Sequence, residues 1–213
     1  MQSDNQFIDE LREQVRGEVK FDALSRAIYN TDASIYQIEP LGVVIPRDAE
    51  DVVNTVTLAN QHQVSVLPRG GGTSLAGQTV NHSVVLDFSK YMDSVLEVDP
   101  DERSAWVEPG LVLDVLNKQL EPYNLKYAPD PTTSNRATIG GGIGNNTCGS
   151  HSIIYGKTLD HVLELEVVLS DGSMTNFALL NPDQIADKKL SLGLEGNIYR
   201  QSIAIAEVHR KEI

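Results

Sequence analysis

Residues 68–79, PRGGGTSLAGQT, place a dense run of glycine directly after an apolar stretch and add the hydroxyls of Thr73 and Ser74. Without Cβ atoms, such a loop can curl until several backbone N–H groups converge on one anion. From Gly72 through Gly77, Gln78 and Thr79 the spacing is that of a triphosphate loop, G-x-x-x-x-G-K-[ST], with glutamine in place of lysine. A triphosphate loop uses that lysine at the terminal phosphates and runs at once into a long helix. Here the chain continues TVNHSVVLDF, a polar turn and then a strand. These residues suit a diphosphate balanced by backbone dipoles, with Arg69 as the one nearby cation. Neither these glycines nor those at 140, 141, 142, 144 and 149 satisfy the dinucleotide fingerprint G-x-G-x-x-G.

A second stretch, PDPTTSNRATIGGGIGNNTCGSHSIIYG (129–156), has the same character. Small residues, amides and hydroxyls stand where a ligand would need close approach to the backbone. Two such loops, separated by regular structure, read as two walls of one elongated cleft. An extended ligand with phosphates near its middle and a flat ring at each end, a dinucleotide, fits that description. Asn145 and Asn146 can each donate and accept at the edge of a ring. Equally open is that either is a turn residue tolerating a left-handed backbone.

The elements that must carry these loops follow from periodicity. Phe7, Ile8, Leu11 and Val15 share one side of a short amphipathic helix over 6–16. LGVVIP (41–46) is a short buried strand, Asp48 suits an N-cap, and Ala49, Val52, Val53, Val56 and Ala59 recur at helical spacing to about His62. VSVLP (64–68) and VVLDF (84–88) are strands again. Strand, helix and strand with short joints make a βαβ unit and favour a small parallel sheet. Beyond Leu96 the pattern changes: a hairpin turns at Asp-Pro-Asp, Leu113, Leu116 and Leu120 mark a helix, and Asp171-Gly172 marks a second hairpin over 162–177. The stretch from Ile198 reads as helix with no closing strand, so the chain is expected to be the N-terminal fragment of something longer.

Composition removes several classes of function. With 40% hydrophobic and 22% charged residues the chain reads as globular, and a net charge of −13 would repel a phosphate backbone, which excludes nucleic acid as a partner. The single cysteine, Cys148, allows no internal disulfide and no cysteine cluster. No two of the five histidines (62, 82, 151, 161, 209) stand at i, i+3 or i, i+4, so no metal site is expected. No apolar run reaches the roughly 18 residues of a membrane span, and the opening residues do not form a signal peptide. A cytoplasmic protein is expected, or one peripheral to the inner membrane.

PRGGGTSLAGQ, APDPTTSNRATIGGGIGNN and YGKTLDHVLELEVVLSDG, in this order and at these separations, resemble the FAD-binding domain of the FAD-linked oxidases related to vanillyl-alcohol oxidase. They are most similar to its D-2-hydroxyacid dehydrogenase branch, which handles D-lactate, glycolate or D-2-hydroxyglutarate. YNTDASIYQIEPLGVVIPRDAEDV (29–52) resembles the lead-in to that domain, so the resemblance covers roughly residues 25–177. GSHSIIYGKTLDHV is most similar to the large members in which the flavin portion is fused to an iron-sulfur portion.

The resemblance implies an α+β fold with two subdomains: a helical lead-in over 1–37, a small parallel βαβ sheet over 38–98, and a mostly antiparallel sheet with helices over 99–213, incomplete at its C-terminus. It implies that Pro68, Arg69, Gly70, Gly71, Gly72, Thr73 and Ser74 wrap the FAD pyrophosphate, with Gly77 and Gln78 near the flavin. Where several relatives carry a flavin-linking histidine this sequence has Thr73, which implies non-covalent FAD. Pro129, Asp130, Thr132 and Thr133 would begin the second wall. Thr138, Gly141, Gly142, Gly144, Asn145 and Asn146 would continue it, followed by Cys148, Gly149, Ser150 and Gly156. Cys148 is expected as a small buried thiol lining the cofactor. Val167 would meet the adenine with its backbone.

The implied reaction oxidises a D-2-hydroxy acid to the 2-keto acid, hydride passing to flavin N5 and a base taking the hydroxyl proton. The resemblance assigns the substrate groups to a cap domain, and the catalytic base, like the electron acceptor, stays unassigned. His151 and His161 read as ordinary loop histidines, and Arg47, Arg136 and Lys157 as solvated partners for acidic groups. The chain alone is expected to be a cofactor module without turnover. A non-redox module gripping a phosphate-bearing ligand is the alternative, and bound flavin's visible absorbance separates the two.

Overall fold

The structure, a computed structural model, describes residues 2–212, which form two compact units dividing between Val162 and Leu163. The first opens with α1 (Gln2–Gln14), whose Phe7 and Leu11 are buried as their spacing predicts, with Val15 buried just past its end and Ile8 only half-buried. β1 (Glu18–Lys20) and α2 (Ala23–Ile28) follow, then β2 (Gly42–Ile45), α3 (Ala49–Gln61), β3 (Val66–Arg69) and β4 (Val84–Asp87). β2, β3 and β4 are parallel, in the sheet order β1-β2-β4-β3, with β1 antiparallel at one edge. β4 reads Val-Val-Leu-Asp and is buried throughout, the pattern of a strand covered on both faces, so it takes the centre and separates β2 from β3.

Asp48 caps α3 as expected, accepting from the N–H of Asp51. The buried stripe of α3 is Asp51, Val52, Thr55, Leu58 and Ala59, whereas Val53 and Val56 of the expected stripe are only half-buried. The helix is turned by Asp51, which is fully buried and accepts from the backbone N–H groups of Arg16 (2.8 Å), Gly17 (2.9 Å) and Arg47 (2.8 Å). Each such donor, buried without a partner, would cost roughly 1–3 kcal/mol. One carboxylate therefore joins the end of α1, the start of β1 and the β2–α3 turn.

The hairpin expected around Asp-Pro-Asp is β5 (Val95–Asp99) and β6 (Ser104–Val107), whose turn is held by Asp99 Oδ1 accepting from the N–H groups of Asp101 and Glu102, both at 3.0 Å. Next comes α4 (Leu113–Leu120). Leu111, Leu113, Leu116 and Leu120 form a core with Ala137 and Ile139, against which Val95, Val98, Ala105 and Val107 pack. Two short helices, α5 (Ile139–Gly144) and α6 (Ser152–Tyr155), lie in the stretch read from sequence as one long loop.

The second unit begins with the hairpin β7 (Glu164–Val168) and β8 (Met174–Ala178), turning through Gly172 at φ 86°. It ends with α7 (Pro182–Leu190) and α8 (Gly193–Val208). α7 escaped the sequence reading although Asn181 and Gln184 cap its start reciprocally. All strands after β4 are antiparallel, in two separate hairpins.

Candidate functional site

The first glycine loop leaves the carboxyl end of β3, in the parallel part of the sheet. Among the described residues, the backbone N–H groups of Gly70 through Leu75 donate to no protein acceptor. The loop is half-buried to exposed, so these donors are open to water or to a ligand. Gly72 sits at φ 63° and Gly77 at φ 77°, left-handed conformations that favour glycine.

Arg69, the loop's one cation, spends its guanidinium on the protein. It donates to the carbonyls of Tyr29 (3.3 Å), Thr31 (2.8 Å) and Thr79 (2.9 Å) and lies 5.3 Å from the centre of the Tyr29 ring. Burial pushes its pKa down, partly offset by the charges of Asp87 and Asp32. Thr79 donates to Asp32 at 2.9 Å, and the N–H of Ala33 donates to the carbonyl of Gly72 at 3.0 Å. Segment 29–37 thus backs the loop, an arrangement the sequence reading did not derive from its residues. A signal was present: Asp32 followed two residues on by Ser34 is an Asx turn, seen here as Ser34 N–H donating to Asp32 at 2.8 Å.

The second wall reaches the first directly. A Cβ on Gly70 would collide with Oγ1 of Thr138, and one on Gly71 with the carbonyl of Arg136. Further along, Gln78 Nε2 donates to Asn145 Oδ1 at 3.3 Å, and Ser74 Oγ to Gln78 Oε1. The structure brings Gly70 to Gln78 beside Arg136 to Asn145.

Unlike the first loop, the second wall is internally bonded. Thr138 caps α5, Gly140 N–H donates to Pro109 (2.8 Å), and Thr147 N–H returns to Gly142 (2.9 Å). A run of glycine has poor intrinsic helix propensity. Here the cap and these tertiary bonds hold it helical, and a Cβ on Gly140 would press on Pro109. Thr158, fully buried, donates to the Thr147 carbonyl at 2.8 Å and accepts from Tyr127 Oη at 3.1 Å. Pro129 is buried, while Thr132 is exposed and Thr133 gives its carbonyl to Arg136 and Ala137 (both 2.8 Å).

The two asparagines part company. Asn146 adopts φ 45° and its Oδ1 accepts from Leu159 N–H at 2.9 Å, a turn geometry. Asn145 keeps a right-handed backbone and turns its side chain to Gln78 and to the Gly141 carbonyl (3.3 Å).

Cys148 corrects an expectation: the thiol is exposed, not buried. Its neighbours explain this. Thr147 is tied back to α5, and Gly149 lies so tightly on Asp130 that a Cβ there would strike its backbone, leaving Cys148 exposed between them. Asp130 also accepts from His151 N–H (3.1 Å), the His151 ring and Ser150 Oγ (3.4 Å), and these bonds, the ring's first, hold its carboxyl below the usual range. His161 Nε2 meets the Tyr155 carbonyl at 2.7 Å. Gly156 turns the chain at φ 83°, and Val167, in the second unit, pairs with Thr175 across β7 and β8.

A pyrophosphate suits these residues: unpaired N–H donors, glycines that admit close approach, and hydroxyls beside them. The fold of the chain is similar to that of solved structures. The chain superposes on alkyldihydroxyacetonephosphate synthase with a TM-score of 0.74 at 26% identity, over 85% of this chain and 40% of that one. On p-cresol methylhydroxylase the TM-score is 0.73 at 21% identity, over 83% and 35%. The sequence profile of the FAD binding domain matches residues 40–178, and the chain belongs to that family.

Among its relatives, D-2-hydroxyglutarate dehydrogenase of Pseudomonas putida is 39% identical over 212 residues, covering 98% of this chain and 21% of that protein. Glycolate oxidase subunit GlcD of Bacillus subtilis is 37% identical over 166 residues, covering 76% and 35%. The chain thus spans well under half the length of these relatives. Among the described residues no helix is long and apolar enough to cross a membrane.

Proposed function

We propose that this chain is the FAD-holding portion of a flavoprotein that oxidises D-2-hydroxy acids to 2-keto acids, D-2-hydroxyglutarate and glycolate being the substrates its relatives' names suggest. The observation that carries the reading is the run of unpaired N–H groups from Gly70 to Leu75, set against Arg136 and Thr138 of the second wall. These donors take the pyrophosphate, with Thr73 adding a hydroxyl and Ser74 doing so on release from Gln78. Gly77, Gln78 and Asn145 lie toward the flavin end, and Thr138 with α5 forms the facing wall. Thr73 stands where several relatives carry the linking histidine, which supports FAD held without a covalent bond. The flavin, when bound, supplies the acceptor for the substrate hydride.

The chain's own groups bind and orient. Among the described residues, no histidine facing the loops is free of a protein partner: His151 is engaged by Asp130, and His161 by the Tyr155 carbonyl. We assign the base that takes the substrate hydroxyl proton to a further portion of the longer protein, where the family resemblance puts it, together with the carboxylate-binding groups and any iron-sulfur centre. Within the first unit, the loop of residues 38–98 and the facing wall at 136–145 act as the two sides of the cofactor cleft. The test is turnover by the longer protein with D-2-hydroxyglutarate, glycolate and D-lactate and an artificial electron acceptor. FAD-dependent reduction with one of the three is expected, and a yellow protein inert to all three would remove the substrate assignment while keeping the cofactor.

A further inference from the structure

Arg69 is the feature the proposed function does not absorb. A cation beside a diphosphate loop is ordinarily read as its counter-charge, but here three of the five guanidinium donors are committed to protein carbonyls, with the guanidinium packed against Gly72. The three carbonyls come from two segments, Tyr29 and Thr31 between β1 and β2 and Thr79 at the far end of the loop. The Tyr29 ring that Arg69 lies over is itself anchored, its hydroxyl donating to the buried Asp87 of β4 at 2.5 Å. Both Arg69 and Asp87 sit at the last positions of neighbouring strands and face each other in register. The sheet edge thereby fixes Tyr29, Tyr29 fixes Arg69, and Arg69 holds the two ends of the loop at one separation. Ala33 N–H on Gly72 and Asp32 on Thr79 complete the closure.

We infer that Arg69 is a positioning residue: with Tyr29 and Asp87 it forms a clamp that preorganises the unpaired N–H groups of Gly70 to Leu75, and it acts on FAD binding through loop geometry more than through its charge. The inference rests on the reading that this loop holds FAD. Its physical content is geometric. A planar fork can serve several carbonyls at once and stack on a ring, whereas lysine brings the same charge as a single point on a flexible stem. If charge is what matters, Arg69→Lys preserves binding; if the fork matters, lysine fails nearly as badly as a neutral residue. Should loss of the clamp leave the binding-competent loop populated at a tenth, FAD affinity falls about tenfold by that fraction alone.

The experiment is FAD titration of the purified chain and of Arg69→Lys, Arg69→Met and Tyr29→Phe, each at low and high salt, together with amide exchange of the FAD-free proteins. Expected are a comparable loss of affinity, about tenfold, in Arg69→Lys and Arg69→Met, a salt dependence unchanged from the parent, and faster exchange at Ala33. The central-strand amides of Val44 and Val85 should stay protected, which separates loosening of the loop from unfolding. Tyr29→Phe, which removes one hydroxyl only, should weaken FAD by less and in the same direction, and it carries the test if the Arg69 variants do not fold. Arg69→Lys binding like the parent, or a salt dependence that disappears in Arg69→Met, would overturn the clamp while leaving the cofactor reading intact. A folded parent chain that binds no FAD would overturn both.

Discussion

The two glycine-rich stretches share a composition and differ in what their backbones do. From Gly70 to Leu75 the N–H groups have no partner in the protein, whereas from Ser134 to Thr147 nearly every N–H is returned to a nearby carbonyl. The first stretch is a set of donors kept available, held by Arg69. The second is a scaffold whose glycines permit close packing, as Gly140 does on Pro109 and Gly149 on Asp130. Glycine content alone cannot distinguish these roles; the destination of the hydrogen bonds does.

That contrast predicts where substitutions will be felt. Gly70→Ala puts a methyl group into Thr138 and should weaken FAD binding at least tenfold, about 1.4 kcal/mol. Thr138→Ala, made in the same chain, should recover part of the loss, since the collision is with Thr138 Oγ1. A double-mutant cycle on FAD affinity measures that coupling, and simple additivity would break the claim that the two walls touch there.

Thr158→Val should act on folding instead. It leaves Tyr127 Oη and the Thr147 carbonyl without their partner and should cost about 1–3 kcal/mol in urea unfolding, while FAD affinity of the folded protein changes little. An effect on FAD larger than that of Gly70→Ala would reverse the roles assigned to the two stretches. Asn146→Ala is a smaller case, near 1 kcal/mol, because it removes the bond to Leu159 N–H and places alanine at φ 45°. Asn146→Gly keeps the backbone conformation accessible and should cost less than alanine.

Smallest is a pH effect remote from both loops. Glu18 is held at a pKa of about 2 by hydrogen bonds from Lys20, Lys90 and the Tyr91 hydroxyl. A depressed carboxylate contributes stability that is present above its ordinary pKa of 4.5 and is lost as pH falls toward about 2. Glu18→Gln should therefore flatten the acid limb of stability over that window, in urea titrations across pH, without altering FAD affinity at neutral pH. The exposed lysines of this network keep the effect modest.

Much of the scaffold was legible because it rests on local pattern: the apolar strands 42–45 and 84–87, the Asp48 cap and the turn at Asp171-Gly172 each carry their own signal. What stayed hidden depends on partners distant in sequence. The rotation of α3 follows from Asp51 meeting donors at Arg16 and Gly17, and the helicity of Ile139–Gly144 from bonds to Pro109 and Leu111. Likewise the left-handed Asn146 and the exposed Cys148 are set by Leu159 and Asp130. For the cleft, the glycine spacing announced an anion loop, but the direction of the Arg69 side chain needed the Tyr29 and Thr31 carbonyls, some forty residues earlier, to be in place.

The central claim is that Gly70 to Leu75 hold the FAD pyrophosphate with backbone donors. Its most direct test is titration of the purified chain and of Gly71→Asp with FAD, following flavin fluorescence and thermal unfolding together. The parent should give a saturable isotherm and an unfolding temperature that rises with ligand, equivalent to about 2.7 kcal/mol at a hundredfold excess over Kd. Gly71→Asp should lose both while its circular dichroism stays native. Unchanged FAD binding by a folded Gly71→Asp would contradict the claim.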